Sequence, residues 1–101
     1  MSLPELTVAA EKIREDIITM LMEAGSGHPA GALGSADFWT LLYLDDLVRV
    51  NQNDPWWEER DRVVLSAGHY CPALYAVLAK KGFFEYEELK ELRKINSRVQ
   101  G

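Results

Sequence analysis

The 101-residue sequence contains a single cysteine, Cys71, so an internal disulfide is excluded and a reducing compartment is the natural reading. Basic charge is in short supply. Sixteen Asp and Glu outnumber 11 Lys and Arg, for a net charge of -5. That balance argues against non-specific nucleic-acid binding, which needs a cationic surface to displace counterions. It argues equally against docking on anionic lipid. Long apolar runs are missing too. The longest, "FWTLLYL" (38–44), is far short of a bilayer span. "MSLPELTVAAEK" at the N-terminus has neither a basic start nor an apolar core, so no signal peptide is expected and the cytoplasm is the expected location. Internal repeats and low-complexity tracts are also lacking. The chain is one domain at most.

What is present is mostly helical pattern. Ile13, Ile17 and Leu21 recur at four-residue spacing, with Ala10, Ile18 and Met22 broadening the stripe, which predicts a helix over 5–24. Glu11, Lys12, Glu15 and Asp16 are expected on its wet side, and Gly25 is a natural C-terminal stop. A second helix is expected from Ser35 as N-cap to about Val48, with Phe38, Leu41, Leu42 and Tyr43 making it largely buried. "NQNDPWWEERD" (51–61) reads as a polar loop in which one of Trp56 and Trp57 packs beneath the chain. "RVVLS" (62–66) is the one good strand candidate. Two further helices are expected: 70–82, with Pro72 in its first turn and Gly82 as cap, and 85–95, with Leu89 and Leu92 inward. A lone strand cannot form a sheet, so either its partners lie beyond Gly101 or the segment is no strand.

The two histidines share a setting. His28 lies in "GSGHPAGALG" (25–34) and His69 in "SAGHYCPALYA" (66–76), each after a glycine in a turn of small residues. Glycine permits sharp turns and close approach of backbone to ligand. An imidazole fixed between Gly27 and Pro29 is suited to exchanging one proton or one hydrogen bond. His69, after a strand and at the start of a helix, is placed to add a hydrogen bond to an anion drawn by the helix N-terminus. The plainer reading is that both are ordinary turn histidines.

Four other readings compete. "GSGHPA" matches the dinucleotide fingerprint G-x-G-x-x-[GA], with Asp45 and Asp46 near the ribose-acid position, but the residues before it are helical in period and Pro29 lacks an N–H. His28, His69 and Cys71 form a possible metal set whose H-x-C spacing makes shared coordination awkward. Cys71 at a helix start, with a histidine as base, is a possible thiol nucleophile. Trp56 and Trp57 as a stacking platform for single-stranded nucleic acid are disfavoured by the acids around them.

At the level of motif, "REDIITMLMEAGSGHPAGALG" (14–34) closely resembles the N-terminal signature of transketolases, and "DPWWEERDRVVLSAGHYCPALYAVLAKKGFF" (54–84) resembles that family's D-R-F-V-L-S-x-G-H-x-x-x-x-L-Y segment. "LKELRKINSRVQG" (89–101) is similar to the stretch leading into a third family histidine. The three lie in register over nearly the whole chain. The short second loop and "PALYAVLAKKG" look most like the N-terminal subunit of split transketolases.

The resemblance implies an α/β fold: residues 1–101 would be the incomplete N-terminal part of a thiamine-diphosphate-binding parallel-sheet domain, mostly helical here with one short strand. It implies transfer of a two-carbon ketol unit from a ketose phosphate to an aldose phosphate. The cofactors implied are thiamine diphosphate and Mg2+ or Ca2+. By resemblance His28 contacts the substrate hydroxyl near the breaking bond and assists proton transfer, while His69 contacts the cofactor diphosphate. The third histidine would follow Gly101. The later Gly-Asp-Gly segment with its metal-holding aspartate and asparagine would lie beyond it, and the activating glutamate would come from another domain. No metal ligand is therefore expected within this chain. Its partners would be the C-terminal transketolase section or subunit, in a homo- or hetero-oligomer, with the chain alone inactive.

The sequence departs from the family pattern at Ala30, where a second glycine is usual, and at Tyr70 and Cys71, where small residues are usual. Those two side chains would narrow the pocket. A related thiamine enzyme, deoxyxylulose phosphate synthase, fits less well because its first motif lacks G-H-P. The alternative from another class is a non-catalytic remnant or interaction module built on this fold.

Overall fold

In the computed structural model the described residues are 1–25, 27, 29–92, 94, 97 and 99. They form four α-helices: α1 (Leu3–Ala24), α2 (Pro29–Gly34), α3 (Ala36–Leu44) and α4 (Cys71–Lys81). Two 3-10 segments, Gly68–Tyr70 and Tyr86–Glu91, precede and follow α4.

The helix α1 is set at both ends by its sequence. Ser2 accepts the Glu5 backbone N–H at 3.2 Å, and the Glu5 carboxylate accepts the Ser2 N–H in return. This is a capping box that satisfies donors with no partner inside the helix. At the other end Gly25 takes the left-handed conformation (φ 70°) and donates its N–H to Leu21 at 2.9 Å. Between the caps, Ala9, Ala10, Ile13, Asp16, Ile17 and Met20 are buried, and α3, α4 and the segment Tyr86–Glu91 pack against the helix. The alanines of α4, Ala73 and Ala76, are fully buried and let it approach closely. Ile13, Ile17, Met20, Ala32, Trp39, Tyr43, Val77, Leu89, Leu92 and Val99 complete one continuous core.

Several expectations need correction. Asp16 is not on the wet side of α1 but only 4% exposed. It falls three residues after Ile13, on the buried stripe, where the Tyr86 hydroxyl donates to it and Lys12 pairs with it at 3.3 Å. Ile18 and Met22, expected to widen the apolar stripe, instead face outward.

The second helix is shorter and less buried than its composition suggests. It stops at Leu44 because Asp45 begins a turn and Asp46 adopts a positive φ of 56°, and α3 buries Trp39, Thr40 and Tyr43 while Phe38 and Leu41 stay exposed. Ser35 does stand at its start, but its hydroxyl donates back to the Gly31 carbonyl at 2.7 Å rather than capping the helix. That bond ties α3 to α2, which occupies residues read from the sequence as a turn.

The expected α-helix over 85–95 is a 3-10 helix ending at Glu91, and part of the expected range lies outside the described residues. A three-residue turn places Leu89 and Leu92 on one side, and both are buried.

No strand forms among the described residues, so "RVVLS" is not one in this structure. The segment nevertheless alternates: Asp61, Val63, Leu65 and Ala67 are half-buried, while Arg62, Val64 and Ser66 are exposed. It has the period of a strand and lacks a partner strand to pair with.

Candidate functional site

Helix α2, which follows the first glycine-histidine motif, packs against the turn that carries the second. The first follows α1. Gly27 has a φ of 134°, a conformation left-handed enough to require glycine, and Pro29 opens α2. His28 itself lies outside the described residues. The second turn is the 3-10 segment Gly68–Tyr70, which leads directly into α4, and α2 packs against it.

His69 is exposed on this turn, two residues before Cys71 opens α4. It is thus an imidazole just ahead of the positive end of an 11-residue helix, in whose first turn Pro72 has no N–H and the Cys71 N–H is taken by the Gly68 carbonyl. Its ring stands perpendicular to that of Tyr70, with centroids 4.7 Å apart. The Tyr70 ring in turn lies on Gly31 of α2 so closely that an added Cβ there would overlap three ring carbons. Tyr70 precedes the helix expected to include it and sits where α2 meets the second turn. Beside the first turn, Ile18, Leu21, Met22, Gly27 and Pro29 line an open, mainly apolar groove of about 290 Å³.

The geometry bears on the competing readings, although the His28, His69 and Cys71 metal set includes a residue outside the described ones. The dinucleotide fingerprint requires a strand before its glycines, and α1 is a helix up to Ala24. Among the described residues no group of three His, Cys, Asp or Glu side chains is close enough to hold a metal ion. Cys71 is the first residue of α4 and half-buried, and the nearby Tyr75 phenol is held above its ordinary pKa by burial and, secondarily, by Cys71. Trp57 is partly covered by its loop, whereas Trp56 is 81% exposed with the Arg60 guanidinium 5.3 Å from its ring centre.

Two polar groups escaped the sequence reading. Arg14 binds Glu11 at 2.7 Å and Asp37 at 2.8 Å, tying α1 to α3. Asp16, Lys12 and Tyr86 form the second group, with Lys12 over the Tyr86 ring at 5.5 Å. Burial, and then the bond to Asp16, hold the Tyr86 phenol above its ordinary pKa. Tyr86 and Asp16 are 70 residues apart in sequence, so only the fold could reveal that pair. An acid three residues after a core isoleucine was a local signal that could have been read.

Residues 6–101 match the family model described as transketolase, thiamine diphosphate binding domain. The chain belongs to that family. It is 39% identical to human transketolase over 99 residues, covering 98% of this chain and 16% of that protein. It is 40% identical to the Arabidopsis thaliana chloroplastic transketolase-1 over 95 residues, covering 92% of this chain and 13% of the relative. It is also 40% identical over 90 residues to the 6-deoxy-6-sulfo-D-fructose transketolase subunit SqwG of Clostridium sp. (strain MSTE9), covering 89% of this chain and 32% of that subunit. The chain therefore spans about a third or less of these relatives. No helix among the described residues is long and apolar enough to cross a membrane.

Proposed function

We propose that this chain supplies the opening section of the cofactor site in a transketolase-type enzyme that moves a two-carbon ketol unit from a ketose phosphate to an aldose phosphate. The observation that carries this reading is the packing of α2, which follows the first glycine-histidine motif, on the turn that carries His69, within a chain that matches the thiamine diphosphate binding domain over residues 6–101. When bound, thiamine diphosphate supplies the carbon chemistry that breaks the bond beside the ketose carbonyl.

The chain's own residues do the positioning. His69, exposed just before α4, holds a diphosphate oxygen with its imidazole N–H while the positive end of the helix dipole favours the negative charge. His28, between Gly27 and Pro29, bonds the substrate hydroxyl near the breaking bond and carries its proton. The described residues suit the diphosphate end of the cofactor. Among the described residues no group of three His, Cys, Asp or Glu side chains is placed for its divalent metal, and no step here passes through one. The metal, Mg2+ or Ca2+, falls to ligands of the remaining section or a partner subunit. A dimeric or heteromeric enzyme acting on sugar phosphates in the cytoplasm follows from the same reading.

The test is ketol transfer between a ketose phosphate and an aldose phosphate by the native polypeptide with its partner section, thiamine diphosphate and Mg2+. Turnover is expected there, a sharp fall in kcat with His28→Ala, and none from residues 1–101 alone. Turnover by residues 1–101 alone contradicts this division of the site.

A second reading, a non-catalytic interaction module, draws on the exposed Met22, Leu47 and Val64. It predicts no thiamine diphosphate binding even with the partner section present.

A further inference from the structure

Gly31 needs a reason to be glycine. It sits inside α2, where alanine is favoured by roughly 1 kcal/mol, and it has no left-handed backbone to accommodate. The reason is contact. The Tyr70 ring occupies the place of its missing side chain, with Cδ1, Cε1 and Cζ all overlapping an added Cβ. Gly34, in the same short helix, would have nothing within 4 Å of an added Cβ. The Gly31 backbone is held from the other side, because the Ser35 hydroxyl and N–H both donate to its carbonyl, at 2.7 and 3.0 Å. Tyr70 thus bears on a fixed point of α2, and its ring meets the His69 imidazole edge to face.

We propose that Tyr70 is a positioning residue: seated on Gly31, it sets the spacing of the two histidine turns and the orientation of the His69 ring. The role assigned to that oriented ring, contact with the cofactor diphosphate, rests on the proposed function above; the interlock itself does not. Glycine at position 31 also explains how this chain accommodates a bulky side chain at position 70. The space it needs is provided by Gly31, so positions 31 and 70 are a coupled pair.

The experiment is a double-substitution cycle on the native polypeptide with labelled histidine, the His69 imidazole signals being assigned by their loss in His69→Gln. Tyr70→Phe keeps the ring and is expected to leave those signals in place. Tyr70→Ala is expected to shift them. Gly31→Ala is expected to shift them and lower the Tm, while Gly34→Ala does neither. Gly31→Ala with Tyr70→Ala together is expected to recover part of the Tm lost by Gly31→Ala alone, since the clash is gone. Additive losses, or unmoved His69 signals in Gly31→Ala, overturn the proposal. Thiamine diphosphate with Mg2+ is then added to the unsubstituted protein. Coupling in the cycle without a His69 response to the cofactor upholds the interlock and removes only the ligand reading.

Discussion

Helix α1 and the extended segment 61–67 each bury one side and expose the other, yet they stand differently in the fold. In α1 the backbone is satisfied from within, capped by Ser2 and Glu5 at one end and by Gly25 at the other. In the extended segment, Asp61 donates its N–H to the Arg49 carbonyl at 2.7 Å, but Val63, Val64 and Leu65 donate no backbone hydrogen bond among the described residues. Val63 and Leu65 pack on the core while Val64 is 86% exposed. A helix closes its hydrogen bonds locally; a strand closes them only on a neighbour. The comparison teaches that the helical part of this chain carries its own stability. The extended part has the form of a sheet strand whose neighbours, on the proposed reading, come from the rest of the enzyme.

The comparison breaks most visibly at the core of α1. Ile17 is fully buried, and Ile17→Ala is expected to cost about 2–5 kcal/mol in chemical denaturation of the native polypeptide. A loss under about 1 kcal/mol would show that α1 is not the anchor.

Next comes the buried acid of α1. Tyr86→Phe removes the hydroxyl that serves Asp16 and is expected to cost about 1–3 kcal/mol. The same variant sharpens the alkaline behaviour. The Tyr43 and Tyr75 phenols, like that of Tyr86, are raised chiefly by burial, and Lys12 is raised chiefly by its bond to Tyr86 and by Asp16. Groups with raised folded pKa values give stability that is complete below the unfolded pKa, about 10 for tyrosine, and lost as pH climbs past it. Denaturation midpoints should therefore fall above about pH 10, and fall less steeply in Tyr86→Phe. A parallel decline in both proteins would assign the pH dependence to other groups.

A smaller effect is expected at the cap of α1. Ser2→Ala breaks the capping box and should cost about 1 kcal/mol. The smallest belongs to the extended segment, where Val64→Thr should change the stability of residues 1–101 by no more than about 0.5 kcal/mol. If the same substitution destabilises the complete enzyme well beyond that, Val64 is covered there, as a sheet strand requires. Equal effects in both would remove the sheet reading.

Local chemistry made the helices legible from sequence. Gly25 closes α1, and Pro72 and Gly82 bracket α4, as the sequence indicates, whereas the Ser2–Glu5 box starts α1 at Leu3, two residues before the expected start. What failed depended on tertiary placement. Whether Asp16 faces water depends on Tyr86, far along the chain, and whether 62–66 is a strand depends on a partner that no local pattern contains. The site was legible in the same divided way. The glycine-histidine motifs pointed to His28 and His69 as residues of interest. The packing of α2 on the turn that carries His69, and the Gly31–Tyr70 contact that fastens the two, are invisible to spacing. His28 lies outside the described residues, so its role rests on motif and on its neighbours.

The central claim is that these turns hold thiamine diphosphate through His69. Its most direct test is the affinity of the native polypeptide, with its partner section and Mg2+, for thiamine diphosphate, measured by titration calorimetry before and after His69→Ala. Loss of a hydrogen bond to a charged oxygen, worth about 1.5–3 kcal/mol, predicts a Kd about ten- to a hundredfold weaker. An unchanged Kd would contradict the account.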